Sequence, residues 1–211
     1  MLACIHRGSH QIGGSCVVFD LDGTLADLTH RVHFVDGSPF TGAYVTFQES
    51  VGAVKKGSTG TIRKLSGPDI VIVEIRASKL RNVECRISAI KIQSDWDKFF
   101  DNLRDDQPIK TVVRLLDTLK HDHAIVICSG RPESHRPETV EWLARQSISY
   151  EALYLRNTGD SRDDVIVKRE LLQKMRNDGY HPWVAVEDRN TVVQMWRDEG
   201  ITCLQCADGD F

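Results

Sequence analysis

Five apolar runs of strand length, Cys16 to Phe19, Ala124 to Cys128, Ala152 to Leu155, Trp183 to Val186 and Ile201 to Leu204, are continuous rather than alternating. A strand buried on both faces reads that way, because helices cover both sides of a parallel sheet. Helical repeats lie between the runs: Val112, Leu115, Leu116 and Leu119, then Val140, Leu143 and Ala144, then Val192, Val193 and Trp196. Strand and helix alternate, which predicts an α/β core built on a central parallel sheet.

The stretch from Asp36 to Gln93 breaks this rhythm. Its short runs (Tyr44 to Phe47, Thr61 to Leu65, Ile70 to Ile75, Val83 to Ile87, Ala89 to Ile92) are separated by turn signals such as Gly57, Gly60 and Ser66-Gly-Pro-Asp69. Five short strands without a helix predict a small all-β module of SH3-like barrel size. A chain of 211 residues has room for one sizeable core and such a module. Because core strands flank it, the module is an insertion, residues 36–93, into a core made of residues 1–35 and 94–211, and its two junctions must lie close together. It carries nine Lys/Arg against five Asp/Glu, a net of +4 that leaves −7 for the core.

The whole chain has a net charge of −3, which argues against a surface that grips nucleic acid or anionic membrane everywhere and confines such contacts to patches. Six cysteines, several inside apolar runs, read as reduced thiols of a cytoplasmic protein. Cys203 and Cys206 have metal-ligand spacing but no second pair for zinc. No apolar run approaches the roughly 20 residues of a membrane span, and the first fifteen residues lack a secretory leader's apolar core.

Carboxylates and hydroxyls cluster where the strands are expected to end. Val17-Val-Phe-Asp-Leu-Asp-Gly-Thr-Leu25 drives an apolar strand straight into Asp20 and Asp22. In open α/β sheets ligands bind at that carboxyl edge. One carboxylate there can attack phosphorus while a second handles the proton of the leaving oxygen. A plain polar turn is the competing reading. The next strand ends in Cys128-Ser-Gly-Arg131, where Ser129 can hold a phosphate oxygen and Arg131 offers a fork of donors. Lys168 falls in a helical pattern from Asp164 to Met175, and Glu187-Asp188 closes the fourth strand with oxygen ligands of the kind Mg²⁺ takes.

This ordered set resembles the haloacid dehalogenase superfamily of phosphotransferases, whose Rossmann-like core it implies. Within that superfamily it resembles the 3′-phosphatase domains of phage polynucleotide kinase-phosphatases. Three stretches carry the likeness: Phe19-Asp-Leu-Asp-Gly-Thr-Leu-Ala26, Gly159-Asp-Ser-Arg-Asp-Asp-Val-Ile-Val-Lys168, and Glu187-Asp-Arg-Asn-Thr-Val-Val-Gln-Met-Trp196 running to Ala207-Asp-Gly-Asp-Phe211. The resemblance implies that Asp20 is the nucleophile, Asp22 the general acid/base, and Ser129 and Lys168 the phosphate holders. It implies Mg²⁺ held by Asp20, the backbone carbonyl of Asp22, and Asp188. Thr24, Arg31, Arg131, Arg156 and Asp164 fall on positions used around the substrate. Glu187 stands where the family usually has aspartate, so Asp188 is the expected ligand of the two.

The implied activity is Mg²⁺-dependent removal of 3′-phosphates from DNA or RNA ends through an aspartyl phosphate; a separate kinase or ligase acting alongside is a partner that the resemblance leaves open. Free nucleotides or other small phosphomonoesters are the alternative substrates, and an adaptor built on a degenerate core is the alternative class. For the inserted module the readings are a guide for the nucleic-acid backbone, a lid against water, and a protein-docking surface. Gly52-Ala-Val-Lys-Lys-Gly57-Ser-Thr59 approaches a phosphate-binding loop but lacks its lysine and precedes a strand, which excludes a kinase site there. His30, His33, His121 and His123 read as surface residues.

Overall fold

In the computed structural model residues 14–75 and 82–209 are described. Cys4, the cations Arg76, Lys79 and Arg81, and the terminal Asp210 and Phe211 lie outside them. Along the chain come β1 (Ser15–Phe19), β2 (Ala26–Asp27), β3 (Tyr44–Phe47), β4 (Thr59–Leu65), β5 (Ile70–Glu74), β6 (Asn82–Arg86), β7 (Ile90–Ile92) and α1 (Trp96–Asp101). There follow β8 (Gln107–Pro108), α2 (Lys110–Leu119), β9 (Ala124–Pro132), α3 (Arg136–Arg145), β10 (Ala152–Arg156), α4 (Asp164–Asn177), β11 (His181–Arg189), α5 (Asn190–Asp198) and β12 (Thr202–Gly209). The chain divides into two compact units, residues 1–28 with 104–211, and residues 29–103.

In the first unit the five apolar runs become one parallel sheet of order β10-β9-β1-β11-β12. Both faces of β1 are covered, which explains its unbroken hydrophobicity. Cys16 and Val18 pack with Val167, Leu172 and Met175 of α4 and Val193 and Trp196 of α5, while Val17 and Phe19 pack with Leu116 of α2 and Trp142 and Leu143 of α3. In this sheet order the connections leave β1 toward β9 on one side and β11 on the other. That is a topological switch point, where the strand ends open a crevice. Strands β9, β11 and β12 run well past their apolar stretches. β9 continues through Ser129, Gly130 and Arg131 because β10 keeps pairing with it, Leu155 opposite Ser129 and Arg156 opposite Pro132, after β1 has ended at Phe19. The antiparallel pair β2-β8, Ala26 opposite Pro108 and Asp27 opposite Gln107, brings the chain leaving this unit beside the chain returning to it.

The second unit holds an antiparallel sheet of order β6-β5-β4-β3-β7 around its own core of Val45, Phe47, Ile62, Val71, Val73 and Cys85. All five strands expected between 36 and 93 are present. No pairing between β6 and β7, which would close a barrel, occurs among the described residues. The unit extends from Thr29 to Leu103, beyond the expected 36 and 93, because it also takes in α1 and the turn at Val32–Phe34. The inserted strands themselves start and end at one place: Asp95 N–H donates to Phe34 O at 2.8 Å and Ser94 Oγ to Val35 O at 3.1 Å. No helix among the described residues is long and apolar enough to cross a membrane.

Candidate active site

The turn after β1 is dictated by its own backbone. Asp20 N–H donates to Val186 O of β11 at 3.0 Å, which fixes the strand end, and Leu21 O then accepts from the N–H groups of Thr24, Leu25 and Ala26. Gly23 has φ +86°, and a Cβ on it would stand 2.2 Å from Asp188 Oδ2. The sequence therefore needs glycine both for the left-handed turn and to admit the carboxylate opposite. Thr24, fully buried, donates its hydroxyl to Asp188 Oδ1 at 3.0 Å.

Lys168 reaches this turn from α4. Its Nζ donates to Asp20 Oδ1 and to Glu187 Oε2, each at 2.7 Å, and all three side chains are almost wholly buried. The other Glu187 oxygen accepts from the backbone N–H groups of Asp188 and Arg189. Glu187 is thus engaged at both oxygens. Asp20 Oδ2 and Asp188 Oδ2 have no hydrogen-bond partner among the described residues. Carboxylate oxygens of Asp20, Glu187 and Asp188 lie within 4.8 Å of one another.

Three buried carboxylates with one ammonium leave this group net negative. Burial above all, and then Glu187, pushes the Asp20 carboxyl up to about 7 against the opposing pull of Lys168. Burial, reinforced by Asp20, pushes Asp188 up to about 6, and burial raises Glu187 as well. Burial opposes the charge on Lys168, yet Asp20 and Glu187 outweigh it and hold its pKa well above the ordinary lysine range. An all-oxygen donor set with unneutralised negative charge and two open carboxylate oxygens fits a small hard dication such as Mg²⁺.

A second cluster forms around Arg131. This fully buried guanidinium donates through Nε to both oxygens of Asp22, at 3.0 and 3.2 Å, and through Nη2 to Asp22 Oδ1 at 2.5 Å and Asp106 Oδ2 at 2.7 Å. Ser129, also buried, accepts from the Arg131 N–H at 3.2 Å. A third cluster centres on Asp164, which is ion-paired to Arg156 and to Arg189. Arg156 is braced inside the fold as well, donating to the carbonyls of Gly130, Asp160 and Arg162. Gly130 is required where it stands, since a Cβ there would lie 2.7 Å from Asp164 Oδ1.

Asp20, Thr24, Lys168, Glu187 and Asp188 are therefore brought together, Asp22 meets Arg131, and Arg156 meets Asp164. Arg31 belongs to the second unit, where it is fully buried, lies 4.0 Å over the Phe99 ring and donates to Phe99 O at 3.3 Å. Sequence reasoning missed Asp106 and Arg189. Asp106 sits in a polar stretch between elements, with no strand end to mark it, whereas Arg189 directly follows the acidic pair and was open to the same reading as Arg131.

The sequence pattern of the family described as "Polynucleotide kinase PNKP phosphatase domain" matches residues 88–211. The match takes in Ser129, Arg131, Lys168, Glu187 and Asp188, while Asp20 lies before it on the other side of the insertion. Among solved structures, a chain of the Pnkp1/Rnl/Hen1 complex is 24% identical with a TM-score of 0.58, over 99% of this chain and 51% of that one. A chain of the Pnkp1/Rnl/Hen1 RNA repair complex is 23% identical with a TM-score of 0.58, over 97% of this chain and 46% of that one. A haloacid dehalogenase-like hydrolase from Streptococcus pneumoniae is 16% identical with a TM-score of 0.49, over 93% and 85%. The chain spans about half the length of the two chains from the Pnkp1/Rnl/Hen1 assemblies. The chain belongs to the family of the polynucleotide kinase PNKP phosphatase domain, a branch of the haloacid dehalogenase phosphatases.

Proposed function

We propose that this protein is a Mg²⁺-dependent phosphomonoesterase that removes 3′-phosphates from nucleic-acid ends through a phosphate ester on Asp20. The observation that carries this reading is the Lys168 bridge. It pins one oxygen of a buried carboxylate and leaves the other open at the end of β1, beside Asp188. A nucleophile needs that arrangement, because a free-swinging carboxylate would lose the advantage of fixed orientation.

Asp20 Oδ2 attacks phosphorus, the bond from phosphorus to the ester oxygen breaks, and Asp22 delivers a proton to the departing sugar oxygen. Water then attacks the phosphorus of the Asp20 ester, Asp22 takes up the water's proton, and inorganic phosphate leaves with the carboxylate restored. Lys168 offsets the charge that would otherwise repel an anionic substrate, and Ser129 offers a hydroxyl to a phosphoryl oxygen. Asp20, Asp188 and the Asp22 carbonyl are the groups that would hold Mg²⁺, which when bound supplies further neutralisation of the phosphoryl oxygens. Thr24 orients Asp188.

The polynucleotide substrate class is supported by the family to which the chain belongs, and RNA ends in particular by the description of one structural neighbour as part of an RNA repair complex. A ligase or kinase acting on the same ends from another chain is part of this proposal. Phosphate release from 3′-phosphorylated and 5′-phosphorylated oligonucleotides, with and without Mg²⁺, tests it. Release from the 3′-phosphate alone, dependent on Mg²⁺ and abolished by Asp20→Asn, is expected. Substantial turnover by Asp20→Asn would sink the covalent route. Equal efficiency on a nucleoside monophosphate would move the substrate to free nucleotides.

A further inference from the structure

The second unit carries a cavity that the chemistry at Asp20 does not use. It is open, about 360 Å³ in volume, and lined by residues of this unit alone, among them Gly42, Tyr44, Gln93, Trp96 and Asp97. That volume lies within the range of small-ligand sites. Two of its walls are aromatic side chains that the fold leaves half exposed, Tyr44 at 48% and Trp96 at 51%. Large rings left in water at a cavity wall are surface that a flat apolar ligand would cover favourably.

Both rings are held in place. Trp96 opens α1, where its ring stacks on Phe100 at 5.9 Å and meets the buried Phe99 edge-on at 5.4 Å. Tyr44 opens β3, paired with Thr61 of β4, and its carbonyl accepts from Gln93 N–H at 2.9 Å. Of the two carboxylates at the cavity, Asp95 is taken by Lys98, through the backbone N–H and the ammonium, each at 3.0 Å. Asp97 is exposed and has no partner among the described residues. Such a carboxylate keeps a phosphate out of the cavity by charge and accepts N–H donors. A planar ring that carries N–H groups suits both the aromatic walls and this acceptor, and a nucleobase is such a ring.

The sheet beside the cavity suits the rest of a strand. Side chains alternate across a β-strand. Val45, Phe47, Val71 and Val73 fill the core of this unit, so Tyr44, Thr46, Ile70 and Ile72 stand on the opposite face. Lys91 lies opposite Thr46, Lys64 opposite Ile72 and Arg86 opposite Ile70, which puts three cations on the face of Tyr44. Arg63 is offset there by its ion pair with Glu74, and Glu84, also opposite Ile72, is the acid that faces the other three. The excess is positive, as phosphates require.

We propose that this cavity takes one base of a single-stranded nucleic acid, stacked against Tyr44 and Trp96 with an N–H group on Asp97, while Lys91, Lys64 and Arg86 meet the phosphates. The ligand class rests on the polynucleotide reading above.

Kd is measured by fluorescence anisotropy for a labelled single strand of about ten nucleotides ending in a 3′-hydroxyl, and for an abasic strand of the same charge. Wild type is expected to prefer the natural strand about ten-fold. Tyr44→Ala should cost roughly five-fold or more on the natural strand, as loss of one stacking ring does, and less than about two-fold on the abasic strand. Tyr44→Phe should keep the affinity, because the ring and not the hydroxyl stacks. Lys91→Ala should weaken both strands alike and flatten the salt dependence. Equal losses on both strands in Tyr44→Ala, no loss, or no preference of wild type for the natural strand would each overturn the proposal. Should Tyr44→Ala not fold, Trp96→Leu must show the same selectivity, and its absence is equally fatal. A nucleoside monophosphate that binds as tightly as the strand would overturn it in favour of a small-molecule site. Binding of tetramethylammonium with no strand binding would overturn it in favour of a cation cage. Because the strand ends in a hydroxyl, binding is read apart from turnover. Base-selective binding by a protein that spares 3′-phosphates would remove the phosphatase reading and leave the base site standing, and cleavage of 3′-phosphates without base selectivity would do the reverse.

Discussion

Asp20 is asked to be both buried and ionised, and the two demands conflict. Its pKa is pushed up to about 7 and that of Asp188 to about 6, chiefly by burial, whereas the unfolded chain returns both to roughly 3.9. Between those values the folded protein binds protons that the unfolded chain does not. The stability these groups lend is therefore fully present at acid pH and is lost as pH rises through about 6 to 7. A dication needs the ionised carboxylates, so its affinity runs in the opposite sense. The increment in Tm produced by MgCl₂ is expected to grow from about pH 5 to about pH 8 and to shrink sharply in Asp20→Asn. Calorimetry or dye-monitored melting measures it, and an increment that is flat or falls with pH would remove Asp20 and Asp188 from the cation site.

At the scale of elements, α4 decides where Lys168 points. The helix starts at an N-cap, Asp163, whose side chain accepts from Val165 N–H at 2.9 Å. Val167, Leu171, Leu172 and Met175 bury one face against β1 and β9. Asp163→Ala is expected to cost about 1 kcal/mol of unfolding free energy, the usual worth of a cap. Activity should fall by less than it does for any change at Lys168, since packing rather than the cap sets the helix's register. A denaturant titration with a parallel phosphatase assay checks both. The same helix shows what the sequence could and could not reveal. Five strands were legible because continuous burial leaves continuous apolar runs, and Asp20 and Asp188 were legible because they fall where such runs stop. Lys168 looks like any solvated lysine in isolation, yet it shares a helical stripe with Asp164, Leu171, Leu172 and Met175, a register that marks it as inward-facing. Asp106 left no comparable trace, because its partners stand far away in the chain at Arg131 and Trp142 and no local pattern encodes them. The neck strands β2 and β8 are two residues each, too short for periodicity to show.

At the scale of the whole molecule, the unit of residues 1–28 and 104–211 contains both hydrophobic faces of its sheet and every group around Lys168 and Arg131. The inserted strands add a separate core and a net charge of +4 within residues 36–93. Because Phe34 and Val35 are hydrogen-bonded to Asp95 and Ser94, a short Gly-Ser linker can join Val35 to Ser94 without stretching the chain. It retains Arg31 and the Phe99 ring under it. The shortened protein is expected to melt cooperatively and to hydrolyse p-nitrophenyl phosphate within about ten-fold of wild type, since an orientation built by β1, β9, β11 and α4 does not pass through the removed strands. On a 3′-phosphorylated oligonucleotide the fall should be larger. The plot of log kcat/KM against log salt should become shallower, because fewer counterions are released when cations that pair with phosphates are absent. An unchanged salt slope would show that the inserted strands do not guide the backbone. Their charge would then be an ordinary solvated surface, leaving a lid or a protein-docking face as their role.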